Sequence, residues 1–215
     1  MPELVVNADD FGRSDATNDG IVRAREHGIV TSTSLMVRRP GADHAARYAR
    51  GNPDFSVGLH IDFGPWEYAD GDQVRVDESA PVSDEVTAQL ELFRELVGRD
   101  PTHIDSHHHT HRDEPVGPQA RAIAAKLGVP LRFHGPARYV GEFYGLPAAE
   151  AIEPRALVAI IEGLGDGLSE LGCHPGLDSK LDSSYCLERL REVEVLCDRR
   201  VREELERAGV RLRSF

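Results

Sequence analysis

The chain has 215 residues, 40% hydrophobic and 29% charged, which is the composition of a globular domain large enough to stay folded without disulfide or metal staples. Lys and Arg number 25 against 37 Asp and Glu, a formal charge of -12. That balance argues against a nucleic-acid partner, because phosphate binding needs a basic stripe.

Met1-Pro2-Glu3 runs straight into Leu4-Val5-Val6, without the basic start, long apolar stretch or cleavage site of a signal peptide. The apolar runs are too short to span a bilayer, so no transmembrane segment is expected. Cys173, Cys186 and Cys197 suit a reduced compartment better than a disulfide framework. A cytoplasmic protein is the expectation.

In chain order, short apolar runs alternate with stretches of helical period. Leu4-Val5-Val6 ends at Asn7-Ala8-Asp9-Asp10, and a β-rich run from Ser32 to Val37 stops before Pro40. Ser56 to Ile61 is a third strand, after which Phe63 to Pro81, rich in Gly, Asp and Glu, has neither period and is expected to be a long surface loop. Ser83 is placed to cap a helix with the apolar stripe Val86, Leu90, Phe93 and Val97, ending at Gly98. Thr102 to Asp105 is the next strand, followed by a helix with Pro118 in its first turn that runs through Ile123 and Leu127 to Gly128. Pro130 to Phe133 and Leu171 to His174 read as two more strands, and Ser184 starts a long helix through Leu187, Leu190, Val193, Leu196 and Val201 to Gly209. Runs that are apolar on both sides suit a parallel sheet covered on both faces. The pattern predicts a single α/β domain over 1–215, a distorted barrel of about six to seven parallel strands, with a doubly wound open sheet as the alternative.

Half of the ten histidines fall between His103 and His111. In an extended strand, residues 103, 105, 107 and 109 share a face, which aims His107 with Asp105 or His109 into a common space. Imidazole is the commonest metal ligand. Asp9-Asp10 suits an Asx turn or a helix cap, and equally a hydrolase in which one carboxylate binds a metal and the other takes a proton. His60 and His174 are each a lone histidine in an apolar run, the usual pattern of a core residue. Position favours chemistry: Asp9, Asp10, His60, His107 and His174 all close predicted strands, and active sites of parallel α/β folds are built on that edge.

The segments Asn7-Ala8-Asp9-Asp10-Phe11-Gly12, Gly28 to Ser34, Gly58-Leu59-His60, Thr102 to His111 and Cys173-His174-Pro175-Gly176 resemble the YdjC-like carbohydrate deacetylase family, which includes chitooligosaccharide deacetylases and hopanoid-associated members. The resemblance covers nearly the whole chain. It implies a distorted (β/α) barrel and one divalent metal, usually magnesium, held by Asp10, His60 and His107. Asp9 would be the general base, His174 the acid, and Arg132 the group that keeps Asp9 ionised. The implied reaction removes acetyl from an N-acetylated amino sugar, on an oligosaccharide or a glycolipid, and the implied assembly is a homodimer.

Two imidazoles and a carboxylate suit zinc, iron, cobalt or manganese better than magnesium, which prefers oxygen. Trp66 offers a face to stack on a sugar or to cover core. His109 and His111 complete the expected substrate contacts. Asp62, in Ile61-Asp62-Phe63, departs from the pattern of many members and adds a carboxylate near the site. Competing readings are a non-haem iron oxygenase, a carbohydrate- or metal-binding protein without catalysis, and a phosphoesterase using Arg13 and Arg112.

Overall fold

The computed structural model describes residues 1–64, 66–69, 72–75, 82–178 and 183–215. In chain order the strands are β1 (Pro2–Phe11), β2 (Ser32–Leu35), β3 (Ser56–Ile61), β4 (Trp66–Ala69), β5 (Asp72–Arg75), β6 (Ile104–Ser106), β7 (Arg138–Val140), β8 (Gly167–Cys173) and β9 (Arg211–Arg213). The helices are α1 (Asp15–His27), α2 (Ala42–Gly51), α3 (Val82–Val97), α4 (Val116–Leu127), α5 (Pro154–Glu162), α6 (Leu187–Leu196) and α7 (Arg199–Arg207). The principal sheet runs β6-β3-β2-β1-β8-β7 with every pair parallel, and β9 pairs with β1. Its curved path is the expected distorted barrel, open between β7 and the segment beyond β6. Because the strands are parallel, their C-terminal ends form one edge, the edge on which parallel α/β folds build their sites.

Burial explains the elements. Leu4, Val5, Val6 and Ala8 of β1 are fully enclosed, with β2 and β8 paired on either side and α1 packed against the strand. Ser14 caps α1 by accepting the Thr17 N–H at 3.1 Å. Ala42, Ala45, Ala46 and Ala49 form the buried stripe of α2, small enough to bring that helix close to the core. Val86, Leu90, Phe93 and Val97 face inward from α3 as their spacing predicts, and Gly98 ends it at φ +80°.

Three expectations are corrected. Pro130–Phe133 is not a strand: it makes an isolated parallel bridge from Leu131 to Ile104, then turns at Phe133, whose φ is +65°. The next strand is β7, which the sequence pattern did not single out. The long helix from Ser184 is two helices, α6 and α7, because Asp198 adopts extended backbone and caps α7 by accepting from Arg200 N. Within the expected loop 63–81, β4 and β5 form an antiparallel ribbon. The fourth helix begins at Val116, which puts Pro118 in its first turn as expected. Among the described residues no helix is long and apolar enough to cross a membrane.

α1 crosses the rim closely at Gly20. A Cβ there would lie 2.4 Å from the Gly176 Cα and 2.8 Å from its backbone N and C. Gly20→Ala is therefore expected to lower stability by about 1–3 kcal/mol, overcoming alanine's better helix propensity. A melting temperature equal to wild type in thermal denaturation would show that this backbone contact yields freely.

Candidate active site

Adjacent residues of a regular strand point to opposite faces, so Asp9 and Asp10 could not both serve one edge of an ideal strand. The register of β1 against β2 shifts between Ala8 and Phe11, and Asp10 takes a left-handed φ of +68°. This irregularity turns both carboxylates toward the C-terminal edge and gives them different neighbours. The chain leaving β6 does the same: His108 and His109 have φ of +53° and +55° inside the 3-10 segment His107–Arg112. Such backbone persists only when the surroundings hold it, and it gathers at functional sites.

Asp10 is fully buried. Its Oδ1 lies 3.4 Å from His60 Nε2 and 3.2 Å from His107 Nδ1, and the ligand atoms of the trio all fall within 4.8 Å of one another. Despite these neighbours Asp10 Oδ1 receives no hydrogen bond of proper geometry. Its Oδ2 pairs with the Arg189 guanidinium and lies 3.4 Å from Arg13. Burial resists ionisation of Asp10, but Arg189 and then His107 hold its carboxyl well below the usual carboxylate range. Behind the trio, His60 Nδ1 lies 2.7 Å from Asp105 Oδ1, the carboxylate–histidine arrangement that directs the other ring nitrogen at a metal. Burial disfavours charge on His60, yet Asp105, Asp10 and Asp9 push its pKa up to about 10. The carboxylates thus define a spot that demands positive charge. An orphaned carboxylate oxygen converging with two imidazoles fits a divalent ion with open coordination positions.

Asp9, Asp105 and Glu170 gather round one buried guanidinium. Arg132 donates to both oxygens of Asp9 at 2.7 Å and to Glu170 at 2.7 Å, and lies 2.8 Å from Asp105. Asn7 donates to Asp9 Oδ1 at 2.8 Å. Burial works against the Asp9 charge, but Arg132 overrides it and keeps the carboxyl below its ordinary value. Burial pushes Glu170 up to about 7 against the pull of Arg132. Asp9, His60 and Asp105 also converge closely enough for a cation. Arg132 already supplies that charge.

His174 follows β8, with Nε2 3.9 Å from Asp9 Oδ2. Burial lowers its pKa to about 4, so it rests neutral. The loop carrying it is clamped by α6: Glu192 accepts the His174 N–H, and Arg189 donates to the His174 carbonyl at 3.4 Å. One helix therefore places both the general-acid candidate and the counter-charge of Asp10.

These groups open on a cavity of about 750 Å³, lined by Asp9, Asp10, His60, His107 and His174 among others. The structure brings together all five rim residues singled out from sequence. Arg132 lies just beneath, against Asp9. His109 lines the cavity with its ring edge-on to Phe133 and Tyr139. His111 does not: it is fully buried, with Nδ1 2.5 Å from the Ser106 hydroxyl and Nε2 3.1 Å from the Arg132 carbonyl. Both ring nitrogens are committed to the floor that holds Arg132, which corrects its expected place among substrate contacts. Trp66 begins β4, and its side chain lies outside the described residues. Asp62 pairs with Arg39 at 2.6 Å. Arg13 lines the cavity, whereas the Arg112 guanidinium stacks on Phe133 at 4.7 Å. Arg189, Glu192 and Glu170 were not found from sequence. Glu170, a charge inside the otherwise uncharged run Gly167–Cys173, carried a readable signal; Arg189 and Glu192 look like ordinary surface charges of an amphipathic helix.

The family model for YdjC-like proteins matches residues 3–207. The chain belongs to the YdjC-like family. It is 35% identical to the carbohydrate deacetylase of Geobacillus stearothermophilus, over 100% of this chain and 98% of that one. It is 33% identical to the chitooligosaccharide deacetylase of Citrobacter koseri, over 99% and 97%. A solved structure from Enterococcus faecalis V583, provisionally assigned to cellobiose-phosphate cleavage, superposes with a TM-score of 0.83 at 27% identity, covering 99% of this chain and 97% of that one.

In this YdjC-like chain the clamp on His174 has a pH signature. Burial pushes the Glu192 pKa from 4.5 up to about 8. Below 4.5 both folded and unfolded chains hold its proton; between 4.5 and about 8 only the folded chain does, so its contribution to stability falls as pH rises through that window. Glu192→Gln, which keeps the neutral form at every pH, should lose less stability than wild type between about pH 5 and about pH 8 in urea denaturation. Parallel pH profiles for the two proteins would remove Glu192 as the proton-binding group.

Proposed function

We propose that the chain is a metal-dependent carbohydrate N-deacetylase, which hydrolyses the acetamide of an N-acetylated amino sugar to acetate and the free amine. The observation that carries this reading is one cavity shared by the Asp10–His60–His107 donor trio, an ionised Asp9 and a neutral His174. The names of the Geobacillus and Citrobacter relatives support the substrate class. The cavity volume of about 750 Å³ lies in the roughly 300–1,000 Å³ range of ligand pockets, which supports a small-molecule substrate.

A divalent ion held by Asp10, His60 and His107 would polarise the amide carbonyl and acidify the attacking water. The donor set favours zinc, manganese, cobalt or iron over magnesium. Asp9, ionised by Arg132 and anchored by Asn7, accepts the proton as water adds to the carbonyl carbon. His174, resting neutral 3.9 Å from Asp9, receives that proton and hands it to the nitrogen as the C–N bond breaks. A low imidazole pKa makes the protonated ring a strong acid, which suits a poor amine leaving group. The bidentate Arg132 contact fixes both Asp9 oxygens, so the base works without searching rotamers.

Asp9→Asn should retain bound metal while acetate release falls by about 10²–10⁴-fold. His107→Ala should lose the metal itself. Acetate release from N-acetylglucosamine oligomers and a glycolipid, paired with elemental analysis of each protein, separates the two roles. Metal loss in Asp9→Asn, or full metal content in both His107→Ala and His60→Ala, would overturn the division of labour.

A further inference from the structure

Beyond the catalytic groups, one wall of the cavity is aromatic. Tyr144 and Tyr185 stack with centroids 4.3 Å apart and planes within 1° of parallel. The His174 ring meets both edge-on, at 5.5 Å from Tyr144 and 5.8 Å from Tyr185. Tyr185 is 3% exposed and tied at its hydroxyl, which accepts the Gly145 N–H at 2.8 Å and donates to buried Glu192 at 2.5 Å. Tyr144 is 40% exposed and lines the cavity. Glu192 therefore fixes two things at once: the backbone of the acid candidate and the lower ring of the stack.

We infer that Tyr144, held flat by Tyr185, is the platform on which the pyranose ring bearing the reacting nitrogen stacks its C–H face. This rests on the deacetylase reading and adds a residue that selects a ring-shaped substrate. Geometry places the platform: the amine leaves beside His174, and the sugar ring bonded to that amine must lie within one ring's reach of it, where Tyr144 stands. An aromatic face is suited to the apolar side of a sugar because it provides large contact area with little conformational freedom to lose. A ring already clamped by a buried neighbour loses less still. Tyr185 and Glu192 are positioning residues; the contact with substrate belongs to Tyr144.

The test compares wild type, Tyr144→Ala and Tyr144→Phe, each metal-loaded, on a β-1,4-linked N-acetylglucosamine disaccharide and on an acyclic N-alkyl acetamide. Tyr144→Ala should raise KM for the disaccharide roughly tenfold with a much smaller effect on kcat, the scale of a lost aromatic contact. The ratio of kcat/KM between disaccharide and acyclic acetamide should fall by a similar factor, and Tyr144→Phe should restore it, since the face and not the hydroxyl makes the contact. An unaltered disaccharide KM in Tyr144→Ala, or a Tyr144→Phe protein as impaired as Tyr144→Ala, overturns the platform while leaving deacetylation standing. Should wild type release no acetate from either compound, the deacetylase reading itself falls. The platform is then judged by saturation-transfer NMR of the disaccharide on wild type and Tyr144→Ala: ring-proton transfer lost in the variant supports it, and transfer equal in both, or absent from both, overturns it.

Discussion

The Arg132 guanidinium, buried beside Asp9, Asp105 and Glu170, sets the charge state of the whole rim. Carboxylates this deep would be driven neutral by the loss of water around them. With Arg132 in place, Asp9 and Asp105 keep low pKa values, and Asp105 in turn favours charge on His60. His60 passes the pattern to Asp10, whose other oxygen meets Arg189. Charges therefore alternate from Glu170 on β8, through Arg132, Asp105 and His60, to Asp10 on β1 and Arg189 on α6. Each link offsets the desolvation of its neighbour, so removing one partner leaves an uncompensated charge in a dry site. The network costs stability as well as giving it: Glu170 remains near pKa 7, held short of full ionisation even beside a guanidinium.

The backbone divides this chain of charge between two chemistries. A regular β1 would send Asp9 and Asp10 to opposite faces; the register shift and the left-handed Asp10 bring both to the edge but aim them at different cations. Asp9 faces Arg132 and remains a hydrogen-bond acceptor near His174. Asp10 faces imidazoles and keeps one oxygen without a hydrogen bond. Two adjacent residues of one type thus acquire different partners, the division that the proposed base and ligand roles require, and the separation comes from φ and register.

Much of this was legible in the sequence because strands in a parallel sheet announce themselves as apolar runs, and their ends mark the functional edge. Asp9, Asp10, His60, His107 and His174 were placed correctly at that edge for this reason. What failed were features set by tertiary contact. Pro130–Phe133 has a strand's composition, but Phe133 turns with positive φ and only one bridge forms. Residues 184–209 carry one helical period throughout, which conceals the break at Asp198. His111 belongs to the same histidine cluster as His107, yet sits under Arg132, because the left-handed backbone at His108 and His109 breaks the alternation expected of an extended strand. Arg189 and Glu192 fall three residues apart on α6, a spacing typical of a solvated ion pair; only the packed structure shows that each faces a rim residue.

The same charge arrangement bears on which ion would suit the trio. Arg189 engages Asp10 Oδ2, which leaves Oδ1 as the oxygen directed at His60 and His107. The donor set is then one carboxylate oxygen, already partly neutralised, and two imidazole nitrogens. Magnesium draws its affinity from hard, charged oxygen ligands and near-ideal octahedral geometry, and here it would find a single such atom. Zinc, manganese, cobalt and iron accept imidazole readily, and a three-ligand protein site with open positions is the arrangement they use in hydrolysis. Arg189 thus does more than balance a buried acid. By engaging the second oxygen it would limit Asp10 to a monodentate contact with any ion the trio held, a bias toward nitrogen-accepting ions set by a helix far along the chain from β1.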